Sequence, residues 1–133
     1  MKKTLKIAFI IFVFSTSFLY SQEQNTTELD KNFTHVVYFW LENPDNPEDR
    51  NDFEVSLKKF LKNSKYAQTK FIGTPANTPR EVVDNSYTYS LILSFPSKEI
   101  QDLYQKESAH LLFIEESEHL WKKVLVYDSA GIK

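Results

Sequence analysis

The 133-residue sequence contains no cysteine and only two glycines, Gly73 and Gly131. Without cysteine there can be no disulfide framework and no thiol chemistry. With so few glycines the chain cannot form a glycine-rich phosphate-binding loop or the Gly-x-Ser-x-Gly turn of a hydrolase. Its three scattered histidines have no paired carboxylate spacing, so we predict no metal site and no cofactor. Stability must come from an apolar core, which eleven phenylalanines, seven tyrosines and two tryptophans can supply.

Residues 1–21 have the pattern of a secretory signal peptide rather than of a folded segment. Three lysines near the start precede an unbroken apolar run, residues 7–14, and small residues follow it. That run is short for a membrane span, although an uncleaved anchor is the alternative reading. We therefore expect cleavage between Ser17 and Glu23, export to the periplasm or the cell exterior, and no stable membrane insertion afterwards.

The net charge is −2, and it falls to about −5 once residues 1–21, with three lysines and no acids, are removed. A mildly acidic small domain has no electrostatic reason to bind nucleic acid, so that partner is excluded. Four lysines do cluster between positions 58 and 65. They fall in the last turns of a predicted helix, where cations complement the helix dipole, and we interpret them as a solvated helix end.

The remaining chain divides into a polar leader that we expect to be disordered (22–33), one domain (34–129) and a short tail (130–133). Alternating and helical periodicities predict strand, helix, strand, strand, a helix pair and a final strand. The predicted spans are strand 35–41, a helix from Pro47 to residue 63, strands 66–72 and 87–95, a helix from Ser97 broken at Ser108, a helix to about Trp121, and strand 124–127. The order fits an α+β split βαββαβ fold with an antiparallel four-stranded sheet and helices on one face.

The first strand is apolar on both faces, with Val37 and Phe39 on one and Tyr38 and Trp40 on the other. The helices can cover only one of these faces. An exposed apolar face of that size is rare on a monomer. Pairing two sheets across a two-fold axis would bury it, so the sequence predicts a homodimer.

Short motifs in the same order resemble the stress-responsive dimeric α/β-barrel (Dabb) family. They are His35-Val-Val-Tyr-Phe, Phe71-Ile-Gly73, the strand ending at Phe95, Tyr104-Gln, Ala109-His110 and Val124-Leu-Val-Tyr-Asp128. The resemblance covers about residues 34–129 and implies a ferredoxin-like protomer whose sheet pairs with that of a second copy to form a barrel. One branch resembles plant olivetolic acid cyclase, which closes a linear polyketide without a cofactor.

The resemblance implies that Tyr104 and His110 would carry such chemistry and that His35 would line the pocket. The chain departs from the family at Glu107-Ser108, where His-Pro is common. From the residues alone, Tyr104 and His110 can face each other only if the helix breaks between them, and the hydroxyl of Ser108 could cap the new helix. His110 has the pKa range of a general base, and Tyr104 could bond a developing enolate. Phe113 and Trp121, on the helical face of His110, would complete the wall of a cavity.

Three function classes follow. The first, which we favour, is an exported homodimer that is non-catalytic or binds a small apolar or aromatic ligand beside the sheet. The second is a cofactor-free cyclase or lyase that uses His110 and Tyr104. The third is a monooxygenase of the dimeric barrel superfamily, either cofactor-free or haem-using. In the structural alternative His110 packs behind the first strand and bonds a backbone carbonyl, while His119 faces solvent.

Overall fold

A computed structural model describes residues 28–133; the predicted signal peptide and residues 22–27 lie outside this range. The elements in chain order are the strand β1 (Phe33–Leu41), the helix α1 (Pro47–Asn63), the strands β2 (Lys70–Gly73) and β3 (Tyr89–Phe95), the helices α2 (Lys98–Lys106) and α3 (Ser108–Ser117), a 3-10 turn (Glu118–Leu120), and the strand β4 (Trp121–Ala130). This confirms the predicted order of elements.

The four strands form one antiparallel sheet in the order β2-β3-β1-β4. The first strand of the chain is therefore central, and the last strand lies at an edge. Helices α1 and α3 cover one face, because Phe39 of β1 meets Phe53 of α1 and Phe113 of α3 with ring centroids 5.0 and 6.1 Å apart. The predicted α+β fold with helices on one face is confirmed.

The two faces of β1 differ in burial, which identifies the one that the helices cover. Alternate residues from Phe33 to Leu41 are buried, including His35, Val37 and Phe39. The residues between them, such as Tyr38 and Trp40, are only half-buried. The covered face of the sheet is therefore the helix side, and the other, carrying Tyr38 and Trp40, is the outer face.

Helix α1 begins and packs as its sequence predicts. The side chain of Asn46 accepts a hydrogen bond of 2.9 Å from the Glu48 amide, and Pro47 occupies the first helical position, where no amide donor is needed. Its apolar stripe is fully or almost fully buried: Phe53, Leu57, Phe60 and Leu61. Burial of each such side chain contributes about 1.5–3 kcal/mol, so this stripe is the main anchor of the helix.

Several predicted boundaries need correction. The second strand is shorter than 66–72, because the Ser64 hydroxyl accepts from the Ala67 amide and holds that segment in a turn. Helix α3 ends at Ser117, whose hydroxyl donates 2.6 Å to the Phe113 carbonyl. Trp121 therefore belongs not to that helix but to β4, which extends well beyond the predicted 124–127. The third strand begins at Tyr89 rather than at residue 87.

The helix pair breaks where expected, but Ser108 does not cap the second helix. Glu107 is the junction, with extended backbone at φ −68° and ψ 146°, and Ser108 is the first residue of α3. The Glu107 carboxylate accepts 2.6 Å from the Ser64 hydroxyl and 2.9 Å from the Lys65 amide. Glu107 therefore ties the end of α1 to the break between α2 and α3.

The segments flanking the sheet are bonded to it. The Asp30 amide donates 3.0 Å to the Ser94 hydroxyl, and the Gly131 amide donates 2.9 Å to the Asn32 carbonyl. A side chain at Gly131 would collide with the carbonyl of Lys31, so the close crossing of the two ends requires glycine. Within residues 28–133 no helix is both long enough and apolar enough to cross a membrane.

Candidate functional site

The helix break brings Tyr104 and His110 together. On one continuous helix the two would point about 120° apart. Across the junction at Glu107 their rings meet with centroids 4.9 Å apart and planes inclined by 42°. The juxtaposition that the sequence required for a Tyr–His pair is therefore present in the structure, whatever the pair does.

The break also fixes the protonation pattern of His110. Its Nδ1 lies 3.1 Å from the carbonyl oxygen of Gln105, a group near the end of α2. A carbonyl can only accept, so Nδ1 carries the proton and the neutral ring presents a lone pair at Nε2. Burial lowers the pKa of His110, and the nearby His35 lowers it further, against the opposing effects of the Gln105 bond and the Glu107 carboxylate. The half-buried ring is therefore biased towards the neutral form, which can act as a base.

His35 forms a second polar pair, with Asp128. The two residues lie opposite each other where β1 pairs with β4, and His35 Nδ1 is 2.6 Å from Asp128 Oδ1. His35 is 4% exposed, whereas the Asp128 side chain is 45% exposed. The predicted strand ended at residue 127, so Asp128 was missed as a site residue. The sequence did contain a sign of its role, because Asp128 is the one acidic residue in the closing Val124–Asp128 motif.

Tyr104 lies between the two imidazoles. Its ring centroid is 5.6 Å from that of His35 and 4.9 Å from that of His110, and the residue is 1% exposed. Burial raises the pKa of the Tyr104 phenol, and the carboxylates of Glu107 and Asp128 raise it further. The phenol therefore stays protonated at any physiological pH and can act as a hydrogen-bond donor. One phenol donor and two imidazole rings share an apolar surrounding, which is a composition suited to proton transfer.

Phe113 lies on α3 with His110, as the sequence placed it, whereas Trp121 does not lie on that helix. Phe113 stacks on Phe60 at 5.2 Å and meets Trp121 at 5.5 Å, within the aromatic core. Trp121 is in β4, next to Phe39, and not on the helical face of His110. Its Nε1 is buried without a hydrogen-bond partner among the described residues. Such a donor costs about 1–3 kcal/mol unless something accepts from it.

One side of β4 is apolar and incompletely covered. Val124 and Val126 alternate along the strand with Asp128, opposite the buried Phe39 and Val37 of β1, so all three face the helix side. Val124 is 37% and Val126 44% exposed. An open row therefore runs along the helix side of β4, from the Trp121 indole to the Asp128–His35 pair. We call it the β4 row.

A cavity of about 520 Å³ lies elsewhere, between α1 and the α2–α3 pair. Phe113 lines it, but the residues that line it include none of His35, Tyr104, His110 or Trp121. The cavity that the sequence placed beside His110 is thus not this one. We call this space the helix groove. Within the described part of the chain, no three acidic or histidine side chains come together as a metal site would require.

The sheet order and the helices on one face define the class of the protein, a ferredoxin-like α+β domain. The particular family follows from the sequence. The model of the stress responsive A/B barrel domain (Dabb) matches residues 33–130, and the chain belongs to this family. No curated protein is similar enough in sequence to match the chain.

Similar solved structures share the fold at low sequence identity. A Dabb family protein with a ferredoxin-like fold from Mesorhizobium loti is 18% identical, with a TM-score of 0.63 over 76% of this chain and 97% of that one. A hydroxynitrile lyase from Passiflora edulis is 12% identical, with a TM-score of 0.66 over 78% and 96%. A dimeric ferredoxin-like protein of unknown function from Thermobifida fusca is 11% identical, with a TM-score of 0.61 over 74% and 90%. These matches establish the fold.

Proposed function

We propose that this Dabb protein is an exported homodimer that binds a small apolar or aromatic ligand on the helix side of its sheet. The observation that carries the proposal is the open β4 row. It exposes apolar side chains beside a buried and oriented polar group, the His35–Asp128 pair. Ligand sites have this composition, mostly apolar walls with a few polar groups that fix orientation.

The polar groups at the two ends of the β4 row indicate what the ligand carries. At one end the Trp121 indole N–H is buried and unpaired among the described residues, and it would be satisfied by an acceptor such as a carbonyl oxygen. At the other end the protonated phenol of Tyr104 can donate, and the Nε2 atom of His110 can accept. An aromatic or aliphatic molecule with a carbonyl or hydroxyl group fits this pattern.

The outer face of the sheet supports the homodimer. Tyr38 forms edge-to-face contacts with Tyr87 and Tyr127, and Lys123 lies over the Trp40 ring at 4.3 Å. Tyr127 remains 55% exposed. No helix of this domain covers that face, so a second copy would bury it. Export rests on the sequence pattern of residues 1–21 alone.

A second candidate is a cofactor-free lyase or cyclase, and the His35–Asp128 bond favours it. An imidazole held at Nδ1 by a carboxylate has its tautomer and orientation fixed, as a general base requires. The fold is also that of the Passiflora edulis hydroxynitrile lyase. A base at Nε2 of His35 or His110 could remove a proton from a substrate hydroxyl or carbon, while Tyr104 donates to the oxygen that gains charge. Monooxygenase chemistry stays a third prediction.

Two probes separate the candidates. Benzaldehyde is an aromatic carbonyl ligand. Mandelonitrile can be cleaved to benzaldehyde and hydrogen cyanide: the hydroxyl loses its proton, the carbon–cyanide bond breaks, and cyanide takes up a proton. We expect benzaldehyde to shift the backbone amide signals of Val124, Val126 and Asp128 in a saturable manner. Cleavage of mandelonitrile that Asp128→Asn and His110→Asn abolish would favour the lyase.

The matched control is Asp102→Asn, which removes a carboxylate from an exposed ion pair with Lys98 on α2. It should leave both binding and cleavage unchanged. Binding without cleavage supports the first candidate. Amide signals of β4 that do not move at millimolar benzaldehyde, with no cleavage above the rate without protein, would overturn the β4 row as the site.

A further inference from the structure

We propose that the helix groove is a second binding site, separate from the β4 row, and that it takes a single-chain amphiphilic anion such as a medium-chain fatty acid. The groove has a volume of about 520 Å³, within the range of roughly 300–1,000 Å³ usual for small-molecule sites. Its lining residues lie on α1, α2 and α3, at the α2–α3 junction and on the segment that follows α1, and none lies in a strand.

Two polar bridges delimit the groove. At one end Glu116 of α3 accepts from the Ser56 hydroxyl at 3.0 Å and pairs with Lys59, joining α3 to α1. At the other end Glu107 accepts from Ser64 and Lys65. Ser64, the C-cap of α1, follows Ser56 by eight positions, and the rise of the helix places the bridges about 12 Å apart. The helices are thus held side by side, and the space between the bridges suits an extended chain of moderate length.

The floor between the bridges is apolar. The stacked rings of Phe60 and Phe113 form its base, and Ala109 and Leu112 line one wall. Leu112 is 40% exposed, and Leu103 at the Glu107 end is 46% exposed. An acyl chain in the groove would cover these two exposed leucines and remove their apolar surface from water.

The charges at the Glu107 end favour an anionic head group. Lys65 and Lys106 are exposed at this end, and neither forms an ion pair with a residue that the structure describes. The Glu107 carboxylate accepts from the Ser64 hydroxyl and the Lys65 amide and forms no ion pair with Lys65 or Lys106. A carboxylate held between Lys65 and Lys106 would complete the arrangement, with its chain running over Leu112 towards Glu116.

The test uses decanoate and its uncharged counterpart decanol, titrated into the purified protein and followed by backbone amide shifts. We expect saturable shifts at Ala109, Leu112 and Lys65, with decanol binding more weakly than decanoate. Lys106→Met should weaken decanoate binding about two- to fivefold, since an exposed ion pair contributes roughly 0.2–1 kcal/mol. Leu112→Asn should weaken it about fivefold or more through lost apolar contact.

Each variant has a matched control on the same surface. Lys62→Met removes an exposed lysine of α1, and Leu111→Asn removes an exposed leucine of α3; neither residue lines the groove. Neither control should change the affinity for decanoate. Equal losses in variant and control, equal binding of decanol, or no saturable shift at millimolar decanoate would overturn the proposal. Shifts confined to Val124, Val126 and Asp128 would also overturn it, while leaving the β4 row supported.

Discussion

Replacement of His110 tests whether this residue is kept for packing or for chemistry. In the structure the imidazole makes one hydrogen bond, to the Gln105 carbonyl, and ring contacts with Tyr104 and Phe60 at 4.9 and 5.5 Å. A neutral hydrogen bond contributes about 1 kcal/mol, and half-buried aromatic contacts add about 1 kcal/mol more. His110→Ala should therefore lower the free energy of unfolding by about 2 kcal/mol. For a domain of this size the melting temperature would fall by roughly 8–16 °C.

Two further substitutions separate the contribution of the hydrogen bond from that of the ring contacts. His110→Asn keeps a donor near the position of Nδ1 but removes the ring, and His110→Phe keeps the ring but removes the donor. Each should cost about 1 kcal/mol. The control is His119→Ala, because His119 is exposed on the 3-10 turn and its loss should stay within about 0.5 kcal/mol. Denaturant unfolding with a constant slope measures all four. If His110→Ala were no more destabilising than His119→Ala, the structural account of His110 would be wrong.

The same residue makes stability depend on pH. Its pKa in the folded chain is lower than the ordinary value of 6.5, because burial disfavours the charged ring. The unfolded chain therefore binds more protons, so the contribution of His110 is present above about pH 6.5 and is lost as the pH falls towards the lowered pKa. His35 also lowers the pKa of His110, whereas the Glu107 carboxylate raises it. Between about pH 7.5 and pH 5, the wild type should lose more stability than His110→Phe; equal losses would contradict this sign.

Three other predictions address the sheet, a buried phenol and the signal peptide. Phe39→Asp should unfold the domain, since Phe39 is 3% exposed on the helix side. Trp40→Asp, on the outer face, should leave a folded monomer. Circular dichroism reports folding and light scattering reports mass, and a dimeric Trp40→Asp variant would count against the outer-face interface. Burial and a 2.8 Å bond to Glu54 raise the pKa of Tyr89 to about 12, so its stabilising effect is complete below about pH 10 and lost as the pH rises towards 12. Alkaline absorbance titration should show this step, and Tyr89→Phe should remove it. Mass spectrometry of the native protein should find a terminus between Ser17 and Glu23, and an intact Met1 would contradict export with cleavage.

Local patterns were enough to predict most of the fold. Asn46 followed by Pro47 predicts a helix start because both features act within one turn. The two apolar faces of β1 follow from alternation alone. The face that the helices cover could not be derived, since it depends on where α1 and α3 lie after the chain has crossed the sheet. The structure decides this by burying Phe39 rather than Trp40.

The candidate site was predicted only where its residues are close in sequence. Tyr104 and His110 are six positions apart, and the need for a break between them follows from helix geometry. The partner of His35 is 93 positions away, so Asp128 could be recognised only from the register of β1 against β4. The role of Glu107 has the same origin, because its partners Ser64 and Lys65 are more than 40 positions earlier in the chain. By residue type Ser108 was the expected cap of α3. In the structure Glu107, which bonds to Ser64 and Lys65, takes the position before the helix instead.

The central position of β1 has a consequence for how the chain folds. This strand emerges first, yet one of its two neighbours, β4, is the last element to be made. Until β4 is available, β1 lacks its partner along nine registered positions, from Phe33 to Leu41. Closing such distant segments costs loop entropy before any contact is gained, so the rate-limiting step should involve the pairing of β1 with β4. A nascent or truncated chain that stops before Trp121 should therefore remain open and available to chaperones and proteases, and the domain should become resistant only when its final ten-residue strand is in place.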